Sequence, residues 1–203
     1  MSNGRSSAMQ LAAQIAHLKA ELAAARAKLA ELEARADVDP MLDILNRRGF
    51  ERALSRALAH LQRYGGSAAL VYLDLDGFKP MNDRHGHAAG DAVLKAVANA
   101  LTRNVRTSDI VGRLGGDEFV ILLWNLDARQ ATAKASALEH VVAATEVVWA
   151  EARLRPEASA GFATVRPRDD TAILLKRADD AMYVRKRKRK ARAPTASRRK
   201  LRR

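Results

Sequence analysis

The stretch RLGGDEFVILL, residues 113–123, constrains the fold of this chain more than any other part of its sequence. Two consecutive glycines, Gly115 and Gly116, interrupt a largely apolar stretch, and glycine readily adopts the positive φ angles of a two-residue hairpin turn. The stretch therefore predicts a β-hairpin with the glycines at its turn. Asp117 and Glu118 follow directly, and adjacent carboxylates repel each other unless water or a cation compensates their charge. A solvated hairpin tip and a cation site are both open interpretations.

The sequence on either side of the hairpin predicts alternating helices and strands. Predicted helices cover residues near 50–61, 89–105, 131–148 and 171–186, and predicted strands cover 68–75, 110–113, 119–124 and 158–165. Residues 68–75 (AALVYLDL) are apolar on both faces, which is typical of the central strand of a sheet. Because the hairpin is antiparallel, we expect an α+β fold in which helices flank an antiparallel-centred sheet.

A heptad pattern occupies the N-terminal region, where apolar residues recur at spacings of four and three. The residues of this pattern are Leu11, Ile15, Leu18, Leu22, Ala25, Leu29, Leu32 and Ala36. The pattern predicts a coiled-coil stalk over residues 1–36 that pairs two copies of the chain in parallel. A single amphipathic helix lying on the domain is the alternative, because alanine at the seam weakens pairing. The globular domain is expected over residues 37–190.

The strong positive charge of the chain is concentrated at its C-terminal end. Residues 185–203 contain 12 basic residues and no acidic residue, so subtracting 12 from the formal net charge of +13 leaves about +1 for the rest. The tail, residues 191–203, is predicted to be disordered and solvated. A weak contact of this tail with nucleic acid or an anionic membrane is the alternative.

Composition narrows the chemistry and the compartment. The chain has no cysteine, so oxygen or histidine ligands would have to hold any metal ion. No apolar run approaches the roughly 20 residues of a membrane span, and the first ten residues lack the apolar segment of a secretory signal. We therefore expect a cytoplasmic protein without a transmembrane segment.

Acidic side chains end two strands that are predicted to be neighbours. Asp74 and Asp76 lie at the carboxyl end of the central strand with alternation that places both on one face, and Asp117 and Glu118 lie at the hairpin turn. Such a group of oxygen ligands suits a hard divalent cation such as magnesium. With a phosphate substrate, two such ions could activate an attacking hydroxyl and neutralise the phosphoryl charge.

Several motifs in a fixed order point to one known family. The segment GGDEF at residues 115–119 is preceded by the block D-x-D-x-F-K-x-x-N-D-x-x-G-H-x-x-G-D at residues 74–91. Partial matches occur at residues 46–50 (NRRGF), 159–161 (SAG) and 178–183 (ADDAMY). Over residues 37–190 the chain resembles the GGDEF-domain diguanylate cyclases.

The resemblance implies a fold like the palm of adenylyl cyclases and polymerases, and a reaction that condenses two GTP molecules into cyclic di-GMP with release of two pyrophosphates. Each domain of a homodimer would bind one GTP. Two Mg²⁺ ions per active site, with Mn²⁺ as an alternative, would be held by Asp74, the backbone carbonyl of Leu75, and Asp117. Asp117 or Glu118 would help to deprotonate the attacking 3′-hydroxyl, and Lys79 would stabilise charge on the phosphates.

The resemblance also implies the residues that bind the substrate. Asn82 and Asp91 would recognise the guanine edge, with His87 nearby, and Gly115 and Gly116 would let the backbone approach a phosphate. Asp91 suits guanine because a carboxylate accepts from the N1–H and the exocyclic amine together, which adenine does not offer.

Two departures from the family pattern affect the ends of the domain. Lys186 and Lys190 occupy the positions of the residues that bind the terminal phosphates, but Lys190 stands where arginine is usual, and Arg189 stands where glycine is usual. Near the start of the domain, DPMLDI at residues 39–44 replaces the usual D-x-L-T-G-L, so the turn there is expected to be built differently.

Arg106 and Asp109 resemble the R-x-x-D motif at which cyclic di-GMP inhibits members of this family. Arginine can stack on a guanine and bind a phosphate, and aspartate can accept from a guanine edge. The alternative is a solvated pair that caps the turn before the hairpin. For the whole chain, the alternatives to an active enzyme are a catalytically silent receptor for GTP or cyclic di-GMP and, less favoured, a nucleic-acid binder that uses the basic tail.

Overall fold

The described part of the chain, in a computed structural model, comprises residues 36–192 together with residues 14, 17–22, 24 and 28. It divides into two compact units, Met1–Val38 and Asp39–Arg203. In the first unit, residues 17–22 are helical and the side chains of Leu18 and Leu22 are exposed. Most of the predicted heptad seam and the predicted tail from residue 193 onward lie outside the described residues, so the stalk and the tail stay predictions.

The second unit alternates helices and strands, as the sequence predicts. Its helices are α1 (Arg47–Tyr64), α2 (Phe78–His85), α3 (His87–Arg103), α4 (Ala128–Ala143) and α5 (Thr171–Arg192). Its strands are β1 (Ala68–Asp76), β2 (Ile110–Gly115), β3 (Glu118–Trp124), β4 (Val147–Trp149), β5 (Ala152–Leu154) and β6 (Glu157–Thr164). None of the helices within the described ranges has the length and apolar character that crossing a membrane requires.

Four strands form the main sheet in the order β2-β3-β1-β6, and every neighbouring pair is antiparallel. The central strand β1 is almost entirely buried because its side chains face helices on both sides. Val71 and Leu73 pack with α3 and α4 on one face, whereas Leu70 and Tyr72 pack with α1 and α5 on the other. The predicted α+β class with an antiparallel central sheet is confirmed.

Local capping explains where two of the helices begin. The Asn46 side chain accepts a hydrogen bond of 3.0 Å from the backbone N–H of Gly49 and thereby caps α1. Asp127 and Gln130 form a reciprocal capping box at the start of α4. Leu45, just before α1, pairs with the outer side of β2, since its N–H donates to the Val111 carbonyl at 3.2 Å.

The structure differs from the sequence prediction most clearly in three places. The hairpin turn consists of Gly116 and Asp117 rather than both glycines, because the β2–β3 register shifts between Arg113 and Gly115. The helix predicted over residues 131–148 ends at Ala143, and a small β4–β5 hairpin follows. Helix α2 was not predicted, because it has no buried residue and therefore no apolar periodicity.

The turn that opens the second unit is organised by Asp39. One oxygen of its carboxylate accepts hydrogen bonds from the N–H groups of Met41 (2.9 Å) and Leu42 (3.1 Å). Asp43 adopts a left-handed backbone with φ of 52°, at the position where the resembled family usually has glycine. Although Asp43 stands in place of the usual glycine, the backbone has the left-handed conformation that favours glycine.

We predict that any residue with a Cβ atom strains the left-handed backbone at position 43. Asp43→Ala should lower the free energy of unfolding by about 1 kcal/mol relative to Asp43→Gly, because a left-handed backbone is unfavourable for a residue with a Cβ atom. Urea denaturation of the two variants measures the difference. Equal stability of the two variants would contradict the prediction.

Candidate functional site

The acidic residues predicted at two strand ends lie together at one end of the sheet. Asp74 on β1 is directly opposite Glu118 on β3 and opposite Ser159 on β6. The backbone N–H of Leu75 donates a hydrogen bond of 3.2 Å to the carbonyl of Asp117. The antiparallel pairing of β1 with both neighbours therefore brings the two acidic motifs of the sequence into one site.

Two cationic side chains of α5 compensate the negative charge at the end of β1. The Lys186 ammonium pairs with Asp74 and lies 3.9 Å from Oδ1 of Asp76. Arg189 lies 3.4 Å from Oδ2 of Asp76, and the Ser159 hydroxyl donates to that same oxygen at 2.8 Å. Oδ1 of Asp76 is buried and accepts no hydrogen bond from the described residues. Asp74 and Asp76 thus share one face, as predicted from alternation.

The pKa of Asp117 is raised above its ordinary value. Burial of the carboxyl group is the main cause, and the negative charge of Asp74 adds to it. Lys186 and Arg113 oppose the shift without cancelling it. The ionised form of Asp117 is therefore disfavoured in the protein alone, first by burial and second by the Asp74 charge.

Tyr72 interacts with Glu118, the acidic residue that directly follows the turn. Burial, the negative charge of Glu118 and a hydrogen bond with that carboxylate raise the pKa of the Tyr72 hydroxyl. The tyrosine hydroxyl therefore keeps its proton and donates a hydrogen bond to Glu118. Asp179 on α5 adds to the shift, and Arg47 on α1 opposes it, so both helices contribute to the electrostatics of this face.

Arginines hold the glycine turn. The guanidinium of Arg113 donates to the Gly116 carbonyl through two nitrogens, at 2.9 and 2.7 Å, and pairs with Asp39 at 3.0 Å. Arg47 donates to the Leu114 carbonyl at 3.1 Å. Gly115 and Gly116 both have positive φ angles, 152° and 50°. Arg113 was not among the predicted site residues, and its place two residues before the glycines was the only signal in the sequence.

The predicted guanine-binding residues lie where α2 meets α3, directly after β1. The Asn82 side chain packs on Gly90, where a Cβ atom would overlap the Asn82 amide oxygen. That oxygen is buried and accepts no hydrogen bond from the described residues. Asp91 is exposed on the first turns of α3 and so is accessible to a ligand. His87 is exposed as well, and so is Lys79, which was predicted to stabilise charge on the phosphates.

At the end of α5, Lys186 and Arg189 are the residues that reach the carboxylates. Lys190 is exposed, whereas Arg189 is half-buried and contacts Asp76 and Glu157. Lys186 and Arg189 are three positions apart and so lie on the same side of the helix. That spacing was the signal that could have identified Arg189.

The R-x-x-D residues form a hydrogen-bonded turn at the start of β2. The Asp109 carboxylate accepts from the backbone N–H of Arg106 at 2.9 Å and from that of Trp124 at 3.1 Å. The Arg106 side chain is exposed. Asp109 therefore has a structural role in the turn, while the arginine is accessible to a ligand.

The oxygen atoms at the end of β1 fit a divalent cation in part. Within the described residues, no group of three or more histidine, aspartate or glutamate side chains is arranged to hold a metal ion by itself. Asp74 and Asp117 supply two carboxylates, and a cation between them would favour the ionised form of Asp117, whose pKa is raised by burial and by the Asp74 charge. Two carboxylates are compatible with a divalent cation such as Mg²⁺, which takes its remaining ligands from water and phosphate.

We predict that the ionised form of Asp117 destabilises the folded protein at neutral pH in the absence of metal. A raised pKa means that the folded protein binds this proton more tightly than the unfolded chain does, so the penalty is present above the folded-state pKa and disappears toward about pH 4. Asp117→Asn should raise the urea midpoint at pH 7 with a chelator present, and this gain should shrink as the pH is lowered.

Glu151→Gln, at an exposed position, is the control for that experiment. A loss of stability in Asp117→Asn at pH 7, or a gain that does not change with pH, would contradict the assigned electrostatics.

Comparison with known proteins identifies similar sequences. The family described as "Diguanylate cyclase, GGDEF domain" matches residues 36–192. The chain is 32% identical to the diguanylate cyclase DosC of Escherichia coli over 189 residues, 92% of this chain and 41% of DosC. It is 39% identical to the diguanylate cyclase TpbB of Pseudomonas aeruginosa over 162 residues, 78% of this chain and 37% of TpbB. The chain therefore spans less than half the length of these two relatives.

Solved structures show the same architecture. The coiled coil and GGDEF domain of DgcB from Caulobacter crescentus, in complex with c-di-GMP, superposes with a TM-score of 0.75 at 28% identity. The match covers 88% of this chain and 95% of that one. The diguanylate cyclase SiaD from Pseudomonas aeruginosa, in complex with its activator SiaC, has a TM-score of 0.74 at 29% identity, covering 92% of this chain and 72% of that one.

Proposed function

Because the chain belongs to the GGDEF family of diguanylate cyclases, we propose that it condenses two GTP molecules into cyclic di-GMP and releases two pyrophosphates. The observation that carries this proposal is the convergence of Asp74, Asp117 and Glu118 at one end of the sheet, beside the Lys186 ammonium. Carboxylates next to a lysine ammonium suit a substrate that brings both phosphates and divalent metal ions.

Asp74, Asp117 and the Leu75 carbonyl are the proposed ligands of Mg²⁺, with two ions per site and Mn²⁺ as an alternative. When bound, the metal would neutralise phosphate charge and lower the pKa of the attacking 3′-hydroxyl. Asp117 or Glu118 would accept the proton of that hydroxyl. Tyr72 would keep the Glu118 carboxylate oriented through its hydrogen bond.

The guanine is proposed to bind between α2 and α3. Asn82, whose side chain packs on Gly90 at this junction, is proposed to contribute a hydrogen bond to the guanine edge. Asp91 would accept from the N1–H and the exocyclic amine of the same base. Adenine lacks this donor pair, so the two residues together would select GTP over ATP. His87 lies at the start of the same helix, close to the proposed base site.

The phosphates are proposed to draw Lys186 away from Asp74. Lys186, Lys190 and Lys79 are the proposed phosphate-binding cations, and the backbone at Gly115 and Gly116 would approach the phosphates from the hairpin. Lysine supplies a point charge rather than the two-pronged contact of the usual arginine at position 190. Arg189 is committed to Asp76 and Glu157 and so would stay with the protein.

Two copies of the chain are needed, because the 3′-hydroxyl of one GTP attacks the α-phosphate of the other. Each attack forms one phosphodiester bond and releases one pyrophosphate, so two half-sites must face each other. We propose that the N-terminal heptad region pairs the copies and thereby raises the effective concentration of half-sites.

The proposed reaction predicts which product forms and which substitution lowers the rate. Purified protein should convert GTP, but not ATP, into cyclic di-GMP in the presence of Mg²⁺, as separated by chromatography. Asp74→Asn should lower the rate by about 100-fold or more, the usual scale when a preorganised electrostatic contact is lost. Urea denaturation of the same sample shows that the variant is folded.

Asp180→Asn is the matched control, because Asp180 is an exposed carboxylate on α5 that pairs with a lysine. Intact turnover in folded Asp74→Asn would remove the metal assignment. Binding of GTP or cyclic di-GMP by the parent without any turnover would indicate a receptor instead of an enzyme.

Product inhibition is proposed at the Arg106–Asp109 turn. Because the Asp109 carboxylate holds the turn together, Arg106 is the residue that can be removed without disturbing the local fold. Arg106→Ala should weaken cyclic di-GMP binding by about tenfold or more, the scale of a lost charge-assisted hydrogen bond, and should relieve product inhibition at an unchanged initial rate.

Calorimetry with cyclic di-GMP measures the affinity, and Arg103→Ala, an exposed arginine of α3, is the control. The same affinity in parent and Arg106→Ala would remove the inhibitory site and leave the catalytic proposal intact.

A further inference from the structure

Helix α5 runs close along β6, the strand at one edge of the sheet. A Cβ atom at Gly161 would overlap the backbone of Ala181 and Met182, so the helix and the strand touch at this point. Met182 is also the last buried residue within the described part of α5. The portion of the helix that carries Lys186 therefore continues beyond its last apolar anchor.

A buried carboxylate on another helix provides the next anchor. Glu139 of α4, whose side chain is only 8% exposed, accepts hydrogen bonds from the Arg185 guanidinium at 3.1 and 2.7 Å. It also accepts from the backbone N–H of Ala160 at 2.9 Å. Helices α4 and α5 pack on opposite faces of the sheet. The ion pair therefore joins the two layers around the edge strand.

Two contacts link α5 to β6, and they are spaced by similar distances along the helix and along the strand. Arg185 is linked to the Ala160 N–H through the Glu139 carboxylate, and Arg189 donates a hydrogen bond directly to the Ala158 carbonyl. Four helical residues advance by about 6 Å, and two strand residues advance by about 6.7 Å. The two arginines therefore fix the helix in register with the strand.

Lys186 lies between these two arginines in sequence, and residue 159 lies between the two strand positions. Ser159 is the β6 partner of Asp74 in the sheet. The register that Arg185 and Arg189 impose therefore places the Lys186 ammonium at Asp74, with which it pairs.

We propose that Glu139 is a positioning residue for the nucleotide site. Through Arg185 it sets the position and rotation of α5 beyond Met182, so that Lys186 is presented to Asp74 and to the terminal phosphates of GTP. Glu139 itself does not contact the acidic site residues. The phosphate contact rests on the proposed function, whereas the control of the helix by Glu139 does not.

A second ion pair on the same helix offers a matched control. Asp169 has a side chain 7% exposed and accepts from Arg177 of α5 at 2.7 Å and from the backbone N–H of Arg166 at 2.8 Å. Like Glu139, it is a buried carboxylate that accepts hydrogen bonds from one arginine of α5 and from one backbone N–H. It lies before the start of the helix, far along the chain from Lys186.

The first test compares Glu139→Gln with Asp169→Asn. Both variants should lose stability in urea, and both should fold, since glutamine keeps an acceptor for the Ala160 N–H and a cavity of about 290 Å³ beside the pair admits water. Only Glu139→Gln should raise KM for GTP, by about tenfold, with a much smaller change in kcat. Equal KM values in the two variants would overturn the proposal.

The second test asks whether Glu139 acts through Lys186. Lys186→Met alone should raise KM, and adding Glu139→Gln to it should have little further effect, because residues that act in one chain of contacts are not additive. Full additivity of the two substitutions would show that Glu139 affects binding by another route and would overturn the assigned role.

The third test needs no turnover. Amide hydrogen exchange in Glu139→Gln should rise over residues 183–192, whereas exchange in Asp169→Asn should rise at the start of α5. Identical exchange profiles would overturn the proposal even in an active enzyme. A parent that neither binds nor converts GTP would refute the proposed function, and the exchange experiment would still decide the role of Glu139.

Discussion

Compensation of negative charge at the end of β1 is the constraint on which the rest of this structure depends. Asp74 and Asp76 end a strand that is buried on both faces, and Asp117 lies in the hairpin turn beside them. Carboxylates in such a place are tolerated only if cations and hydrogen bonds replace the lost water. The compensating Lys186 is 112 residues away in sequence from Asp74, so the chain must return to the same site through α5.

This constraint connects the architecture with the chemistry. A central strand between two antiparallel neighbours brings together acidic residues from β1 and the β3 turn, and the helix that covers one face supplies the cations. The compensation is incomplete at Asp117, where burial and the Asp74 charge still raise the pKa. A site whose negative charge exceeds its own cations is prepared for positive charge from outside the chain, which agrees with the metal ions of the proposed reaction.

Most of the fold and the outline of the site follow from local sequence patterns. The apolar run of β1, the GG hairpin and the acidic motifs are local signals, and they place the main strands and Asp74 beside Glu118. The pattern could not predict α2, which buries no residue, or the three-residue strands β4 and β5. It also could not identify Arg189 and Glu139, because the partner of a long polar side chain is decided by tertiary contacts. The contacts of these two residues exist only where β6 and α5 lie side by side in the folded protein.

Both edges of the main sheet are engaged by the chain itself. At β2, Leu45 donates to the Val111 carbonyl and accepts from the Arg113 N–H, so it occupies the outer backbone groups of that strand. At β6, Glu139 and Arg189 occupy the outer groups of Ala160 and Ala158. Exposed strand edges are where β-proteins add further strands or aggregate. Two of these domains could join their sheets edge to edge only by displacing these contacts first.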